Sequence, residues 1–554
     1  FANGTCSNWI TMKSTSSGND VQLDLTTASL TLTGVAARDI DNNNAAMTIT
    51  NGQDVSNNNG GNPITFVLGS GNADFYWVGG VGTDPAGPLV AAPGNGTWSD
   101  PLNWLESVGA PATYGSDAAA VCTPGSSDNV YFTAGSWDGT GLNDVEVDIN
   151  VNVELWDWTG QDDAVDFDPT STDAGREIRI NNTFTWDSDV TNTFEGTFVF
   201  DNTNNATYAI TPNVAFNGGV MFDKQNATEW HLGANLIIQG GERGDLTIDR
   251  GCLCPEGFTI QIEDDLLCNV GTAKINTSGG CPSGNEGVMY TLEFNGQDDN
   301  TSTQVIQVYD ANENDIDLDN IIINRQSNGT ADANTVIYLR GDALAGGDYD
   351  IQGDLTISGG NLEIDDDCEF IGTAGGLFTM AAGTYLTLQG QDDNAGTDQF
   401  PHGFVTGNIT FDPTSTVRFI KSTRNNGAVA DGDQEISGTP VYGNLYFSGG
   451  DTKTALADIT MTGDLYIAAN TTLDDDGNTI TVNNDNGDDD TFTMETGASL
   501  LVGATTFPTN VVNGGFNAYA FDNTLGGESL VHYDRAGDQD IEGISGAGTN
   551  AYAQ

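Results

Sequence analysis

The sequence predicts an all-β protein folded as a right-handed parallel β-helix, in which short strands wind in stacked coils around an apolar core. Two observations predict this fold: apolar and polar residues alternate in short runs, and short segments recur along the chain. From Val145 to Leu155 every second residue is apolar, and the residues between them are acidic or Asn. Such alternation buries one face of a strand and leaves the other in water. Helical periodicity nowhere extends beyond about a dozen residues.

The recurring segments are short and polar at their ends. A strand motif, Gly-[Asp/Asn]-Leu-[Thr/Tyr]-[Ile/Phe], begins at Gly244, Gly353, Gly443 and Gly463. Gly-Gln-Asp-Asp begins at Gly160, Gly296 and Gly390, and Phe-Asp-Pro-Thr-Ser-Thr begins at Phe167 and Phe411. Short strands joined by polar turns, repeating without a strict period, are typical of a parallel β-helix with coils of roughly 20–25 residues. A string of immunoglobulin-like sandwiches is the rival fold, but its Cys…Trp…Cys spacing is not visible.

Three segments are predicted along the chain. Residues 1–74 read as the C-terminal part of a preceding β-rich module, 75–160 as a module opening with its cap, and 161–554 as the coils of the β-helix. The segment Gly432–Gly438 recurs in similar form as Gly537–Gly543, close to the last residue. We therefore expect both ends of the sequence to lie inside a longer polypeptide.

The opening segment is rich in tryptophan. The predicted cap residues are Trp77, Trp98, Trp104, Trp156 and Trp158. A β-helix needs a cover over its first coil, because an open end exposes the core and the strand edges. Large aromatic side chains supply that cover. A sugar-stacking platform is the alternative, and the clustering of these residues where a cap is needed favours burial.

The charge balance excludes several classes of partner. The chain has 15 Lys+Arg against 79 Asp+Glu, a formal net charge of −64. Nucleic acid and anionic membranes both require basic residues, so neither is expected as a partner. No apolar run reaches the roughly 18 residues of a membrane-spanning helix, so membrane insertion is not expected. The charge favours binding of hard cations such as Ca²⁺, or adaptation to salty water.

Runs of acidic residues supply candidate calcium ligands. They are Asp365, Asp366, Asp367, Asp474, Asp475, Asp476, Asn478, Asp488, Asp489 and Asp490. Stacked on neighbouring coils, such turns would repel one another unless a cation intervened. Solvated acidic turns are the alternative, since no complete EF-hand loop or nonapeptide calcium repeat is present. A structural Ca²⁺ is the one cofactor expected.

The seven cysteines lack zinc-site spacing and suit an oxidising compartment, which predicts an extracellular protein. Four of them lie close together in the sequence and are disulfide candidates whose pairing the spacing does not determine. They are Cys252, Cys254, Cys268 and Cys281.

Catalysis is not predicted. Gln-Asp-Asp at Gln161, Gln297 and Gln391 is similar to a motif of polygalacturonase-like β-helices, where paired acids cleave glycosidic bonds. Those enzymes also need Asn-Thr-Asp, Gly-His-Gly and Arg-Ile-Lys, which this sequence lacks. The nearest approach is Pro401-His402-Gly403, and the other two histidines, His231 and His532, are distant in sequence. A motif that appears three times also behaves as a turn rather than as a catalytic centre.

The opening segment resembles the repeat modules of very large type IX-secreted surface proteins of Bacteroidota, including gliding-type adhesins. The matching features are W-V-G-G at Trp77, G-x-W-S-D-P-x-x-W at Gly96, P-x-x-x-D-N-V-x-F at Pro124 and W-x-G at Trp158. An insertion, roughly Val81 to Asn95, departs from the pattern. The resemblance implies a cell-surface location, tandem modules and an adhesive or filament-forming role, with no catalytic residues.

We therefore expect an extracellular structural or adhesive protein, a shaft or filament segment without catalytic activity. Its expected partners are neighbouring modules or copies of itself. The alternative is a β-helix that binds or degrades a surface polysaccharide, and a viral tail-fibre segment is a third reading.

Overall fold

The fold is given by a computed structural model of the chain. The structure describes residues 10–13, 21–23, 30–33, 35–38, 40–42, 47–50, 53–56, 64–67, 74–77, 96–100, 103–107, 123–133, 136, 144–159, 165–168, 175–202, 206–224, 229–240, 243–268, 274–275, 289–296, 304–308, 316–325, 336–340, 347–364, 368–390, 400–420, 434–483, 490–504, 518–521 and 529–533. The chain divides into two compact units, Phe1–Leu236 and Ile237–Gln554. The division falls within the segment predicted as one continuous series of coils.

The strands of the first unit are β1 (Ile10–Lys13), β2 (Val21–Leu23), β3 (Leu30–Thr33), β4 (Val35–Arg38), β5 (Ile40–Asn42), β6 (Met47–Thr50), β7 (Gln53–Ser56), β8 (Ile64–Val67), β9 (Asp74–Trp77), β10 (Gly96–Thr97), β11 (Trp104–Ser107), β12 (Asn129–Phe132), β13 (Asp144–Glu146), β14 (Val151–Val153), β15 (Leu155–Trp158), β16 (Val165–Phe167), β17 (Glu177–Ile180), β18 (Phe184–Trp186), β19 (Val190–Asn192), β20 (Thr197–Asn202), β21 (Thr207–Pro212), β22 (Val220–Lys224) and β23 (Glu229–Leu232). Strand β24 (Leu236–Ile238) lies at the division.

The strands of the second unit are β25 (Leu246–Ile248), β26 (Cys252–Cys254), β27 (Thr259–Ile262), β28 (Leu266–Cys268), β29 (Lys274–Ile275), β30 (Thr291–Phe294), β31 (Gln304–Val308), β32 (Ile316–Leu318), β33 (Asn320–Asn324), β34 (Val336–Arg340), β35 (Gly347–Ile351), β36 (Leu355–Gly359), β37 (Asn361–Ile364), β38 (Cys368–Gly372), β39 (Phe378–Met380), β40 (Tyr385–Leu388), β41 (Ile409–Phe411), β42 (Thr416–Phe419), β43 (Gln434–Ile436), β44 (Val441–Tyr442), β45 (Asn444–Phe447), β46 (Asp451–Ala455), β47 (Ile459–Met461), β48 (Leu465–Ile467), β49 (Thr471–Asp474), β50 (Ile480–Val482), β51 (Thr491–Met494), β52 (Ser499–Val502), β53 (Ala518–Phe521) and β54 (Leu530–Tyr533). A short 3₁₀ helix, Thr406–Asn408, precedes β41.

In the first unit, most strands pair in parallel with the strand three positions further along the chain. The sheets of residues 10–67 have the orders β1–β4–β7, β2–β5 and β3–β6–β8, and they share no strand with the sheets that begin at Asp74. The later ladders are β9–β12–β15–β18–β21–β23, β10–β13–β16–β19 and β14–β17–β20–β22. Three strands therefore make one coil, and successive coils stack as in a β-solenoid.

The second unit repeats this pattern. Its longest ladder runs from β25 through β28, β31, β34, β37, β40, β42, β45, β48 and β51 to β53. The other ladders are β27–β30–β33–β36–β39–β41, β32–β35–β38, β43–β46–β49–β52–β54 and β44–β47–β50. The predicted β-helical fold class is confirmed.

The core is built from columns of stacked side chains. In one column Leu386, Val417, Leu445, Leu465 and Phe492 occupy matching positions of five successive strands. Each of them is at most 1% exposed. The predicted alternation thus places apolar side chains inward and polar ones outward, as the pleat of a strand requires.

Two details of the sequence prediction need correction. The alternating run from Val145 to Leu155 is not one strand but crosses three, β13, β14 and β15, with a bend near Ile149, which is 39% exposed. Coil length also varies more than predicted. Hydrogen bonds between adjacent coils join residues that are 20 positions apart in the sequence at Asp464 and 40 positions apart at Val305. Lengthening a solvent-facing turn costs little free energy, so the coils tolerate insertions at their corners.

Candidate functional site

The tryptophans of the opening segment form an interior cluster. All five predicted cap residues are completely buried. The ring of Trp104 lies edge-on to the rings of Trp77, at 5.0 Å, and Trp98, at 4.7 Å, and its Nε1 donates a hydrogen bond to the carbonyl oxygen of Trp98. The cluster continues inward, because the ring of Trp98 stacks on that of Trp156 at 5.3 Å. No face of these five rings is open to stack on a sugar.

A change of strand direction marks the same place. Strand β11 pairs antiparallel with β9, and Trp104 lies opposite Trp77. Strand β9 also pairs with β12, and that pairing is parallel. An antiparallel strand therefore covers the outer edge of this parallel ladder, and its tryptophan, Trp104, fills the core below. This is how a capped end protects an exposed strand edge.

The recurring strand motif joins neighbouring coils through its second residue. In each of the four copies, the side-chain Oδ1 accepts the backbone N–H of a residue in the next coil, and we call this bond the coil staple. The pairs are Asp245 with Asp265 N (3.2 Å), Asp354 with Leu377 N (2.9 Å), Asn444 with Asp464 N (2.7 Å) and Asp464 with Thr491 N (2.7 Å). The staple satisfies a corner N–H that the ladders do not reach, and such donors are costly to leave unpaired.

In two of the four copies, the motif glycine makes room for a bond of this kind from the preceding coil. A Cβ atom on Gly463 would lie 2.2 Å from Oδ1 of Asn444, and one on Gly353 would lie 2.3 Å from Oδ1 of Asn320. Asn320 Oδ1 accepts the N–H of Asp354, so it makes the same bond from a different strand. The motif therefore encodes coil-to-coil attachment, which is a structural role.

The acidic turn at Asp474, Asp475 and Asp476 is held by backbone N–H groups of its own and of the following coil. The carboxylate of Asp475 is 1% exposed and accepts the N–H groups of Gly477, Gly503 and Ala504. Burial raises the pKa of Asp475, and these three bonds counteract that rise. The amide of Asn478 donates to the carbonyl oxygen of Ala455, and Asp476 is exposed. The structure does not bring these side chains together around a common point.

The other predicted calcium ligands are only partly described. Asp490 is 4% exposed. Asp365, Asp366, Asp367, Asp488 and Asp489 lie outside the described residues.

A cluster that the sequence analysis missed lies at the start of β25 and β28. Carboxylate oxygens of Asp245, Asp264 and Asp265 lie within 4.8 Å of one another. Burial, followed by repulsion from Asp245 and Asp265, raises the pKa of Asp264 to about 7, while nearby Arg325 acts to lower it. Burial also raises the pKa values of Asp245 and Asp265. Placing the strand motif beside the Asp264-Asp265-Leu266 segment of the next coil would have revealed the cluster.

We expect this cluster to make the second unit less stable at high pH than at low pH. Because the folded-state pKa of Asp264 exceeds its unfolded value, its stabilising contribution is complete below about pH 4 and is lost as the pH rises through about 7. We expect Asp264→Asn to raise the stability at pH 8 by about 1–2 kcal/mol, after allowing for solvent screening, and to leave it nearly unchanged at pH 4. Thermal unfolding at both pH values measures this. Asp249→Asn, at a carboxylate paired with Arg250, is the control, and an equal gain there would contradict the assignment.

The cysteine prediction is corrected in part. Cys252 forms a disulfide, whereas Cys254 and Cys268 carry thiols, and Cys281 lies outside the described residues. The two thiols are at most 1% exposed, and that of Cys268 fills an inward position of β28 as a small apolar side chain. Burial raises the pKa of Cys268 to about 12, so its thiol is unreactive at neutral pH.

The three histidines weighed for catalysis lie on different strands or turns. His402 lies in a coil ladder opposite Ile371, and its neighbour Gly403 has a φ of +87°. A Cβ there would meet the carbonyl oxygen of Gly372 at 2.0 Å, so Pro401-His402-Gly403 is a tightly packed turn. His231 contacts Glu229, and His532 is exposed on β54. The three Gln-Asp-Asp segments lie outside the described residues.

No protein-family model matches the chain, and comparison with curated proteins and with solved structures finds no similar one either. Among the described residues, no helix has the length and apolar character needed to cross a membrane.

Proposed function

We propose that this chain is a non-catalytic structural segment of an extracellular surface protein, a shaft or filament built from stacked coils. The observation that carries the proposal is the coil staple: the recurring polar residues of the sequence serve to attach one coil to the next. Repetition therefore has a mechanical reason, since each copy adds one more attached coil to a continuous core.

The alternative of a sugar-stacking platform at the tryptophans has no support, because those rings are buried. The resemblance of the opening segment to type IX-secreted adhesin modules supports the surface location and the tandem arrangement. Neighbouring modules or further copies of the chain are the proposed partners.

Calcium is proposed as a structural cofactor on the strength of charge. A formal net charge of −64 makes cation binding favourable, and the Asp245–Asp264–Asp265 cluster offers hard oxygen ligands. The turn at Asp475 fits the ion poorly, since three backbone N–H groups already occupy its carboxylate, whereas the carboxylates of Asp245 and Asp265 accept one each. The ion would relieve the repulsion among the three clustered carboxylates, all of which have raised pKa values.

Imaging tests both proposals. Negative-stain micrographs of the chain, with and without a calcium chelator, are expected to show rods or fibres that loosen on chelation. Rods that the chelator does not change would contradict the calcium proposal. The acidic turns would then be explained by adaptation to salty water. Discrete compact particles under both conditions would contradict the structural proposal.

A further inference from the structure

The outward face of the longest ladder in the second unit carries a row of large polar side chains. It consists of Tyr385 on β40, Arg418 on β42, Tyr446 on β45 and Tyr466 on β48, and we call it the Tyr–Arg row. Arg418 is in register with Tyr446, and Tyr446 with Tyr466, so these three lie on successive coils. All four side chains are partly exposed.

The guanidinium of Arg418 is held between two aromatic rings. Its Cζ atom lies 5.0 Å from the ring centroid of Tyr385 and 5.2 Å from that of Tyr446. The rings of Tyr446 and Tyr466 stack at 4.8 Å with an interplanar angle of 8°. Cation–π contacts on both sides fix the plane of the guanidinium, so binding a ligand there would cost little further conformational entropy.

Most hydrogen-bonding groups of the row are unused by the described part of the protein; the exception is the hydroxyl of Tyr466, which donates to the carboxylate of Glu495. Arg418 forms no ion pair with any described residue, although the chain has 79 Asp+Glu against 15 Lys+Arg. Its Nε is buried without a hydrogen-bond partner there, and the hydroxyl groups of Tyr385 and Tyr446 make no hydrogen bond to the residues the structure describes. Arg179 is the contrasting case, because it pairs with both Glu177 and Asp201.

We propose that the Tyr–Arg row binds a uronate residue of an acidic polysaccharide, with Arg418 holding the carboxylate. A planar guanidinium matches a carboxylate through two parallel hydrogen bonds. The flanking phenol hydroxyls match the hydroxyl groups of adjoining sugars. Coils repeat at about 4.8 Å, similar to the length of one pyranose unit in an extended glycan, so the polymer would run along the row.

The binding mode follows from what remains accessible. Because the faces of Tyr446 are covered by Arg418 and Tyr466, the sugar meets ring edges and hydroxyl groups and does not stack on a ring. The net charge of −64 repels a polyanion at long range. Salt screens that repulsion more than the direct contact, so the affinity is expected to rise with ionic strength. The proposal adds a ligand to the structural role and does not depend on it.

Calorimetric titration of the full chain with alginate oligosaccharides, a polyuronate, tests the proposal. Neutral cello-oligosaccharides of equal length are the ligand control. At about 0.5 M NaCl we expect the chain to bind alginate. At about 0.05 M NaCl we expect the affinity to be about tenfold lower, because the Debye length there is roughly three times greater and the repulsion reaches further. Arg418→Gln is expected to reduce the affinity by about tenfold or more, and Arg418→Lys by about fivefold because the paired hydrogen bonds are lost. Arg179→Gln, the matched control, should leave it unchanged.

The Tyr446→Phe variant distinguishes a loss of binding from a folding defect, since it keeps the ring and removes only the hydroxyl. It is expected to weaken binding by about threefold with an unchanged melting temperature. No binding of alginate, equal binding of the neutral oligosaccharide, or binding insensitive to Arg418→Gln would overturn the proposal. Concentration-dependent dimers that Arg418→Gln abolishes would overturn it in favour of a second copy of the chain. Cleavage of the oligosaccharide would instead contradict the non-catalytic role, so the two proposals fail separately.

Discussion

Replacement of Trp156 by Ala is expected to destabilise the first unit by about 3–5 kcal/mol, the range for a large aromatic lost from a packed core. Trp156 is completely buried. Its ring lies 5.3 Å from those of both Trp98 and Phe132 and 5.7 Å from that of Phe167. These rings are held by strands on either side of a coil. The rings therefore cannot move towards one another to fill the cavity that the loss of Trp156 would leave. Thermal unfolding followed by near-ultraviolet circular dichroism measures the loss.

Tyr131→Ala provides the matched control on the neighbouring strand β12. The ring of Tyr131 stacks on that of Tyr76 at 5.0 Å, but on the outer, partly exposed face of the sheet. An outward aromatic pair contributes about 0.2–1 kcal/mol, so this variant should cost much less than Trp156→Ala. Similar losses for both variants would mean that the tryptophans do not form the tightly packed end of the core.

The fold was predictable because its main signal is local. Alternation along Val151–Val153 or Leu445–Phe447 can be read from neighbouring residues, and it requires one buried and one wet face. The bend at Ile149 was not predictable in the same way. An exposed Ile continues the alternating pattern, and only the pairing of β13 and β14 with different ladders shows that the chain has turned a corner.

The chemistry of the site was less predictable, because it depends on residues from adjacent coils. The recurring Gly-Asp-Leu was recognised as a strand, but the bond from Asp354 to Leu377 spans 23 residues, and no local pattern gives that register. Asp245 is likewise 20 residues away from Asp265 in the sequence, and Asp264 directly precedes Asp265. Conversely, the three consecutive acids that begin at Asp474 predict a metal site. The carboxylate of Asp475 instead accepts hydrogen bonds from backbone N–H groups, and the sequence does not reveal those bonds. The Tyr–Arg row likewise appears only once the register of four strands is known.

The replacement of Gly463 by Ala is expected to destabilise the coils around β48 by about 2–3 kcal/mol, through steric overlap and the loss of one staple. The new Cβ would lie 2.2 Å from Asn444 Oδ1 and 2.9 Å from the carbonyl oxygen of Pro413. Because the Asn444 side chain is short and bonded to the N–H of Asp464, it can yield only by breaking that bond. Hydrogen exchange of the Asp464 amide reports the local loss, which suits stacked coils because they need not unfold together.

A double-mutant cycle separates the staple from general crowding. In an Asn444→Ala background the obstructing oxygen is gone, so Gly463→Ala should cost less than in the parent chain, with a coupling of about 1 kcal/mol. Gly407→Ala serves as the open-space control, because a Cβ there meets nothing within 4 Å. Equal costs in the two backgrounds would show that the motif glycine is required for another reason. The coil staple would then no longer explain why Gly and Asp or Asn recur together, and the structural proposal would lose its main support.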